Sequence, residues 1–144
     1  MNNQGEYFLK SGFTEIHFNE VTSMLQTVFW IPGIKKEEVI QGAKNSALVV
    51  GAFTADNTQI GYARAISDKT RFAYILDVIV HEYFRKQGIG QAKVNHILNH
   101  QDLKDVYQWL LITKDAHRVY QKAGFKPISR TTVWMEIRKP RTIK

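Results

Sequence analysis

The feature that most constrains the fold is an apolar strand joined to a helix through a glycine-containing loop. Residues 72–80, FAYILDVIV, are rich in aromatic and β-branched side chains, which is typical of a strand buried on both faces. RKQGIG follows at residues 85–90, and Gly90, Val94, Ile97 and Leu98 then fall on one side of a helix. This pattern predicts a strand, a tight loop and a helix of about ten residues, and therefore a sheet covered by helices.

The rest of the chain places helices before this unit and alternates strands with helices after it. Helices are predicted at residues 17–30 and 35–45, separated by Pro32 and Gly33, and at residues 115–124, where Gly124 ends the helix. Strands are predicted at residues 47–53 and 59–67 as a hairpin, weakly at 7–11, and at 109–113, 125–128 and 131–137. This order predicts a single domain, residues 1–144, with a mixed sheet and parallel pairing near its middle.

The glycine loop, residues 85–90, has the composition of a site for a pyrophosphate group. Glycines let backbone N–H groups approach a ligand, the first N–H groups of a helix lack internal partners, and the helix dipole adds positive charge. Arg85 and Lys86 add formal charge. Two common nucleotide motifs fit poorly, because Gln91 stands where a Walker loop has lysine and Lys93 where a dinucleotide fingerprint has its third glycine. The alternative is that the glycines only shape the turn.

Composition excludes several kinds of chemistry. The chain has no cysteine, which excludes disulfides, thiolate metal sites and a cysteine nucleophile. His96 and His100 lie four residues apart without the glutamate of a zinc-binding helix, so no metal site is predicted. No apolar run is long enough to cross a membrane, and the first ten residues have no apolar segment of the signal-peptide type. We therefore expect a soluble, cytoplasmic protein.

Positive charge is concentrated near the end of the sequence. The net charge is +7, and residues 118–144 hold eight basic residues and one acid, against 12 of each sign before them. This segment is interpreted either as a surface that attracts a polyanion or as a solvated face with a basic tail at residues 138–144. It carries no recognised nucleic-acid-binding motif, so nucleic-acid binding is the weaker alternative.

Two motifs, in the right order, make the sequence resemble one family. The loop at residues 85–90 resembles the pyrophosphate-loop pattern Arg/Gln-x-x-Gly-x-Gly/Ala of the GNAT superfamily of acyl-CoA N-acyltransferases. The matching residues are Arg85, Gly88 and Gly90. About 30 residues later, after a short strand, the chain matches a second family pattern, A-x-x-x-Y-x-K-x-G-F. That match consists of Ala116, Tyr120, Lys122, Gly124 and Phe125. The resemblance runs from about residue 49 to residue 125, and TKDAHRVYQKAGF is particularly similar to a bacterial subgroup.

The resemblance implies a fold, a reaction and a set of site residues. The fold would be α/β (α+β), with a mixed, largely antiparallel central sheet that contains a parallel splayed pair and is flanked by helices. The reaction would be transfer of an acetyl group from acetyl-CoA to an amine. Phe29 and Trp30 would wall the acceptor pocket. The implied contacts to acetyl-CoA are Val78, Ile79, Val80, Arg85, Lys86, Gln87, Gly88, Ile89, Gly90, Thr113 and Tyr120, although many members have asparagine where Thr113 stands.

Tyr120 and Asp77 are the candidate catalytic residues. Tyr120 occupies the place of the family tyrosine and is predicted to act as general acid toward the leaving thiolate; the alternative is an aromatic side chain packed on the sheet. Asp77 is the only charged residue of the strand at 72–80, and a carboxylate buried there would bind or deprotonate the acceptor ammonium. The alternatives for Asp77 are a solvent-facing position or an ion pair with Arg64 or another cation. His81 is expected to be a surface residue.

The expected mechanism is direct attack within a ternary complex, because a thiol-linked acyl-enzyme is impossible without cysteine. The acceptor, a small-molecule or protein amine, cannot be read from one sequence. A non-catalytic acyl-CoA-binding regulatory domain is the alternative function. A homodimer is one expectation for the assembly, because dimers are the commonest oligomers.

Overall fold

Five strands form one sheet in which the order along the chain is also the order in space. In the computed structural model, which describes residues 6–142, each strand pairs with the next one in sequence. The strands are β1 (Phe8–Ser11), β2 (Leu48–Phe53), β3 (Gln59–Ser67), β4 (Phe72–Val80) and β5 (Gln108–Leu110). The first three pairs are antiparallel and the β4–β5 pair is parallel, so the sheet is mixed and largely antiparallel, as predicted.

Helices cover both faces of the sheet and bury hydrophobic clusters against each face. They are α1 (Phe18–Leu25), α2 (Lys36–Lys44), α3 (Ile89–Leu98) and α4 (His117–Lys122). Helices α1 and α2 bury their apolar side chains on one face, together with Tyr62 and Ile79. Helix α3 packs on the other face, where Val94 and Ile97 meet Val50 and Ile75. Among the described residues, the helices are all too short or too polar to span a bilayer.

Helix α1 is shorter than the sequence predicts. It ends at Leu25 rather than at residue 30, and the Thr27 hydroxyl donates a hydrogen bond to the Met24 carbonyl at 2.6 Å. Such a bond gives the backbone a local alternative to further helical turns. Phe29 and Trp30 therefore lie in the loop between α1 and α2, where both rings are exposed.

A β-bulge interrupts the pairing of β3 with β4. Tyr62 pairs with Ile79 and Arg64 pairs with Leu76, so that Asp77 and Val78 together face one residue of β3. Asp77 has a φ of 56°, in the left-handed region that aspartate tolerates better than most residues. The bulge twists and bends β4 near the point where it leaves β5.

The parallel pair lies at the edge of the described sheet, not near its middle, because two predicted strands are absent. Strand β5 pairs with β4 only through residues 72–74 and 108–110. Among the described residues, no strand follows β5, so the prediction of strands at 125–128 and 131–137 is wrong. Pro127 lacks the N–H that a strand would donate, and Thr131–Val133 close a 3₁₀ turn in which Val133 N–H bonds to the Arg130 carbonyl.

The basic tail is not purely solvated. Arg141 donates to the Pro32 carbonyl at 2.7 Å and to both carboxylate oxygens of Glu38 at 2.8 and 3.0 Å. The tail therefore crosses back to the loop after α1 and to the start of α2, which corrects the interpretation of residues 138–144 as a solvated extension. Residues 143–144, like residues 1–5 at the other end, lie outside the described residues.

Candidate active site

The glycine loop presents free backbone amides at the start of α3. Lys86 and Gly88 both have left-handed backbone conformations, with φ of 65° and 81°. Gly88 is the N-cap residue of α3, and the first helical hydrogen bond runs from Ala92 N–H to the Gly88 carbonyl. The N–H groups of residues 89–91 precede that bond and therefore have no partner within the helix. Such a helix start favours an anion both by its donors and by its dipole.

The space next to Gly88 and Gly90 is open. A Cβ atom added at Gly88 or at Gly90 would meet no atom within 4 Å, so a ligand can approach the backbone there. Arg85 is exposed, and its Nε donates to the Val80 carbonyl at 3.0 Å, which ties the loop to the end of β4. The side-chain oxygen of Gln87 is buried without a hydrogen-bond partner among the described residues. These features fit the diphosphate that the sequence predicts for this loop.

The strand that leads into the loop, β4, is paired with β5 along only part of one edge. Pairing with β5 stops at Tyr74, so the backbone of β4 from Ile75 to Val80 continues beyond it. Val78 and Val80 are half-buried, whereas the Ile79 side chain packs in the core under α1. The Ile79 carbonyl accepts a hydrogen bond from the Lys93 amine, so this carbonyl already has a partner within the protein.

Lys93 is the residue that sequence reasoning missed. It lies on α3, is fully buried, and also donates to the Tyr62 carbonyl at 2.7 Å. Burial lowers the pKa of this amine to about 7. A signal was present in the sequence, because position 93 falls between Gly90 and Ile97 on the apolar side of the helix.

Thr113 and Tyr120 share a cavity of about 290 Å³ between the end of β5 and α4. The Thr113 hydroxyl accepts a hydrogen bond from Ala116 N–H at 3.0 Å, so this side chain satisfies a backbone donor just before α4 begins. The Tyr120 ring packs edge-on against Phe125 with centroids 6.0 Å apart. Burial, with a smaller contribution from Asp115, raises the pKa of the Tyr120 hydroxyl. This phenol therefore stays protonated at neutral pH, as a proton donor must.

Asp77 forms an ion pair with Arg64, which is one of the alternatives left open by the sequence. The Arg64 Nε lies 2.7 Å from Asp77 Oδ2, and the two side chains are 15% and 14% exposed. The same guanidinium donates to the Gly42 carbonyl and to the Ser46 hydroxyl at the end of α2. The pair thus connects the β4 bulge to α2. A catalytic role for Asp77 stays a prediction.

Phe29 and Trp30 face each other edge-on, with ring centroids 5.4 Å apart. The Lys114 ammonium lies over the Phe29 ring, 5.4 Å from its centroid. Lys114 directly follows Thr113, so the loop after α1 contacts the segment that leads into α4. This places the predicted acceptor-side aromatics beside the Thr113 end of the site.

A larger cavity of about 620 Å³ lies between α1 and the end of β4. Its lining includes Ile79, Val80 and Arg85 from the predicted site. Glu20 and Glu82 also line it, as does His81, whose Nδ1 accepts from Tyr83 N–H at 3.2 Å. Five of the predicted site residues thus line these two cavities, Ile79, Val80 and Arg85 in this one and Thr113 and Tyr120 in the other, whereas Asp77 lines neither. The described residues include no cluster of metal-ligating side chains.

The fold and the sequence both have known relatives. A family profile described as Acetyltransferase (GNAT) domain matches residues 46–127, which is more than half of the chain. The Uncharacterized N-acetyltransferase ycf52 of Pyropia yezoensis is 26% identical over 114 residues, which cover 76% of this chain but only 65% of that protein. A crystal structure from Xanthomonas campestris pv. campestris, of a protein classed as an acetyltransferase of the GNAT family, matches with a TM-score of 0.86 and 27% identity over 94% of both chains.

A more distant relative has been solved with acetyl-CoA bound. A predicted acetyltransferase from Clostridium acetobutylicum, whose structure contains acetyl-CoA, matches with a TM-score of 0.67 and 15% identity. It covers 92% of this chain and 96% of its own, and at that identity it supports the fold alone.

The chain belongs to the GNAT acetyltransferase family, because the family profile spans both motifs and the strand between them. Within that family it resembles small bacterial acetyltransferases along nearly its whole length. The family uses acetyl-CoA.

Proposed function

We propose that this protein transfers an acetyl group from acetyl-CoA to a primary amine by direct attack within a ternary complex. The observation that carries this proposal is the glycine loop, where unpartnered amides of α3 and open space above Gly88 and Gly90 adjoin the unpaired edge of β4. Membership of a family that uses acetyl-CoA supports the same donor.

On the donor side, residues 85–90 bind the diphosphate and residues 78–80 of β4 bind the pantetheine arm. The N–H groups at the start of α3 and the Arg85 and Lys86 side chains supply the positive charge that a diphosphate needs. Bound acetyl-CoA supplies an activated thioester. The protein holds that thioester beside β4, which gives the acceptor amine a fixed target.

The chemical step forms a C–N bond and breaks the C–S bond of the thioester. The attacking amine must be neutral, so its ammonium form first loses a proton to the Asp77 carboxylate, directly or through water. Asp77 is our candidate to bind that ammonium, because only its Oδ2 is engaged by Arg64 among the described residues. Tyr120 donates a proton to the departing thiolate, and its raised pKa keeps the donor form populated at neutral pH.

The test is a thiol-release assay with acetyl-CoA and a panel of amines: polyamines, aminoglycosides, amino acids, arylamines and lysine peptides. We expect release above the rate without amine for at least one class. Initial rates at varied concentrations of both substrates should give intersecting double-reciprocal lines. Parallel lines contradict direct attack. Binding of acetyl-CoA by calorimetry without release for any amine favours the non-catalytic acyl-CoA-binding domain instead.

A further inference from the structure

Lys93 has an environment that a lysine rarely occupies. Its side chain is completely buried on α3, and no carboxylate of the described residues forms an ion pair with it. Its amine donates hydrogen bonds to two backbone carbonyls, those of Tyr62 and Ile79. Removing a cation from water without a counter-charge is costly, and an apolar side chain of similar size would avoid that cost. Stability alone therefore gives no reason for a lysine at this position.

The two carbonyls that accept hydrogen bonds from Lys93 lie on neighbouring strands beside the bulge. Tyr62 and Ile79 are register partners on β3 and β4, and they form the pair next to the bulge at Asp77. The amine therefore reaches both strands beside the bulge, where the ladder is interrupted. Gly61 makes room for this contact, since a Cβ there would lie 3.0 Å from the Lys93 Nζ and 3.3 Å from the Ile79 carbonyl oxygen.

The same side chain belongs to the helix that begins at the glycine loop. Lys93 lies three residues after Gly90, in the second turn of α3. Ile79 is the central residue of the segment 78–80, which is assigned to the pantetheine arm. One side chain thus connects the element that binds the diphosphate to the strand that binds the thioester.

We propose that Lys93 is a positioning residue for the acetyl-CoA site, whose buried amine fixes the backbone of β4 at the bulge relative to the glycine loop. This inference rests on the proposed function. Lys93 does not touch the reactants. It acts through the Ile79 carbonyl, and an ordered β4 edge in turn orients the backbone groups that meet the cofactor.

The charge of the amine strengthens this role at acidic pH. A charged donor makes stronger hydrogen bonds to carbonyls than a neutral one. Burial lowers the pKa of Lys93 to about 7, so the amine is mostly charged at pH 6 and mostly neutral at pH 9.

The elements packed against α3 carry other ionisable groups, but burial is the only cause of the lowered pKa of Lys93. These groups are Tyr62 and Arg64 on β3, Tyr74 and Asp77 on β4, and His117, Arg118, Tyr120 and Lys122 on α4, with His96 on α3 itself and none on β2.

The experiment compares Lys93→Met with Lys44→Met, which changes an exposed lysine on α2. Acetyl-CoA affinity is measured by calorimetry at pH 6 and pH 9, together with the Tm of each protein. At pH 6 we expect Lys93→Met to bind acetyl-CoA about tenfold more weakly than wild type, the equivalent of one hydrogen bond to a charged group. At pH 9 the difference should be smaller. At pH 6 the Tm of Lys93→Met should stay close to that of wild type, because removal of a buried cation offsets the loss of its two hydrogen bonds to carbonyls. Lys44→Met should bind as wild type does.

The outcomes separate this proposal from the proposed function. If wild type does not bind acetyl-CoA, the proposed function itself fails. If wild type binds and Lys93→Met binds within about twofold of it at both pH values, the role of Lys93 is refuted. A loss of the same size at both pH values indicates general damage to the fold and also refutes it. If Lys93→Met does not fold, Gly61→Ala decides, because its methyl group would lie 3.0 Å from the Lys93 Nζ and crowd the amine. We expect Gly61→Ala to weaken acetyl-CoA binding, and unchanged affinity overturns the proposal.

Discussion

Replacing Asp77 by asparagine separates the two roles that its carboxylate can have. Asparagine tolerates the φ of 56° at this position as well as aspartate does, so the bulge should keep its conformation. The change removes the negative charge beside Arg64 but leaves a side-chain oxygen that still accepts a hydrogen bond. Any effect therefore reports on charge, not on backbone strain.

The expected loss of stability follows from the geometry of the ion pair. The atoms are 2.7 Å apart and both side chains are largely shielded from water. Removing one partner of a fully buried pair costs about 3–5 kcal/mol. Asparagine retains a neutral hydrogen bond, and Arg64 keeps its contacts to Gly42 and Ser46, so we expect about 1–2 kcal/mol. For a chain of this length that corresponds to a Tm lower by about 2–8 °C.

The assay measures Tm by calorimetry and kcat for the best amine at a temperature where both proteins are folded. Asp105→Asn, at an exposed position, is the matched control. If Asp77 binds the acceptor ammonium, kcat/KM for the amine should fall by about 10²-fold or more in addition to the change in Tm. A lower Tm with unchanged rates assigns Asp77 to the ion pair alone. An unchanged Tm refutes the claim that this pair stabilises the bulge.

Two further variants test the remaining parts of the site. Gly88→Ala places a methyl group over the α3 amides and should weaken acetyl-CoA binding about tenfold or more; Gly12→Ala is the control, since Gly12 also has a positive φ and open space around it. Both changes should lower the Tm through backbone strain, and equal acetyl-CoA affinity in the two variants would contradict a diphosphate site at the loop. Tyr120→Phe should lower kcat by about 10²–10⁴-fold while acetyl-CoA affinity stays near that of wild type. The exposed Tyr107→Phe is its control, and wild-type kcat in Tyr120→Phe would remove the phenol from the mechanism. Because burial raises the pKa of Tyr120, any alkaline loss of activity due to this group should occur at higher pH than the titration of an ordinary phenol.

The strand, glycine loop and α3 were predictable because their signals are local. Apolar β-branched residues, two glycines and a helical apolar face each act within a few residues, and together they determine the conformation of residues 72–98. The β2–β3 hairpin was predictable for the same reason. The family motifs then supplied roles for these elements that residue patterns alone do not provide.

The errors occurred where distant residues decide the outcome. Residues 131–137 have the composition of a strand, but a strand also requires a partner with free N–H and C=O groups, which composition does not specify. The sequence left several alternatives for the position of Asp77, and the ion pair with Arg64 was only one of them. It could not be selected because the register of β3 with β4 depends on the bulge. Burial of Lys93 was missed because its carbonyl partners lie 31 and 14 residues away.

The bonds from Arg141 to Pro32 and Glu38 have a consequence for the order of folding. They join residues 109 and 103 positions apart, so the loop after α1 acquires this anchor only after residue 141 has been synthesised. The sheet and its helices rely mostly on partners closer in sequence and can assemble earlier on the ribosome. The loop with Phe29 and Trp30, the predicted acceptor-side residues, should therefore become ordered later than the sheet.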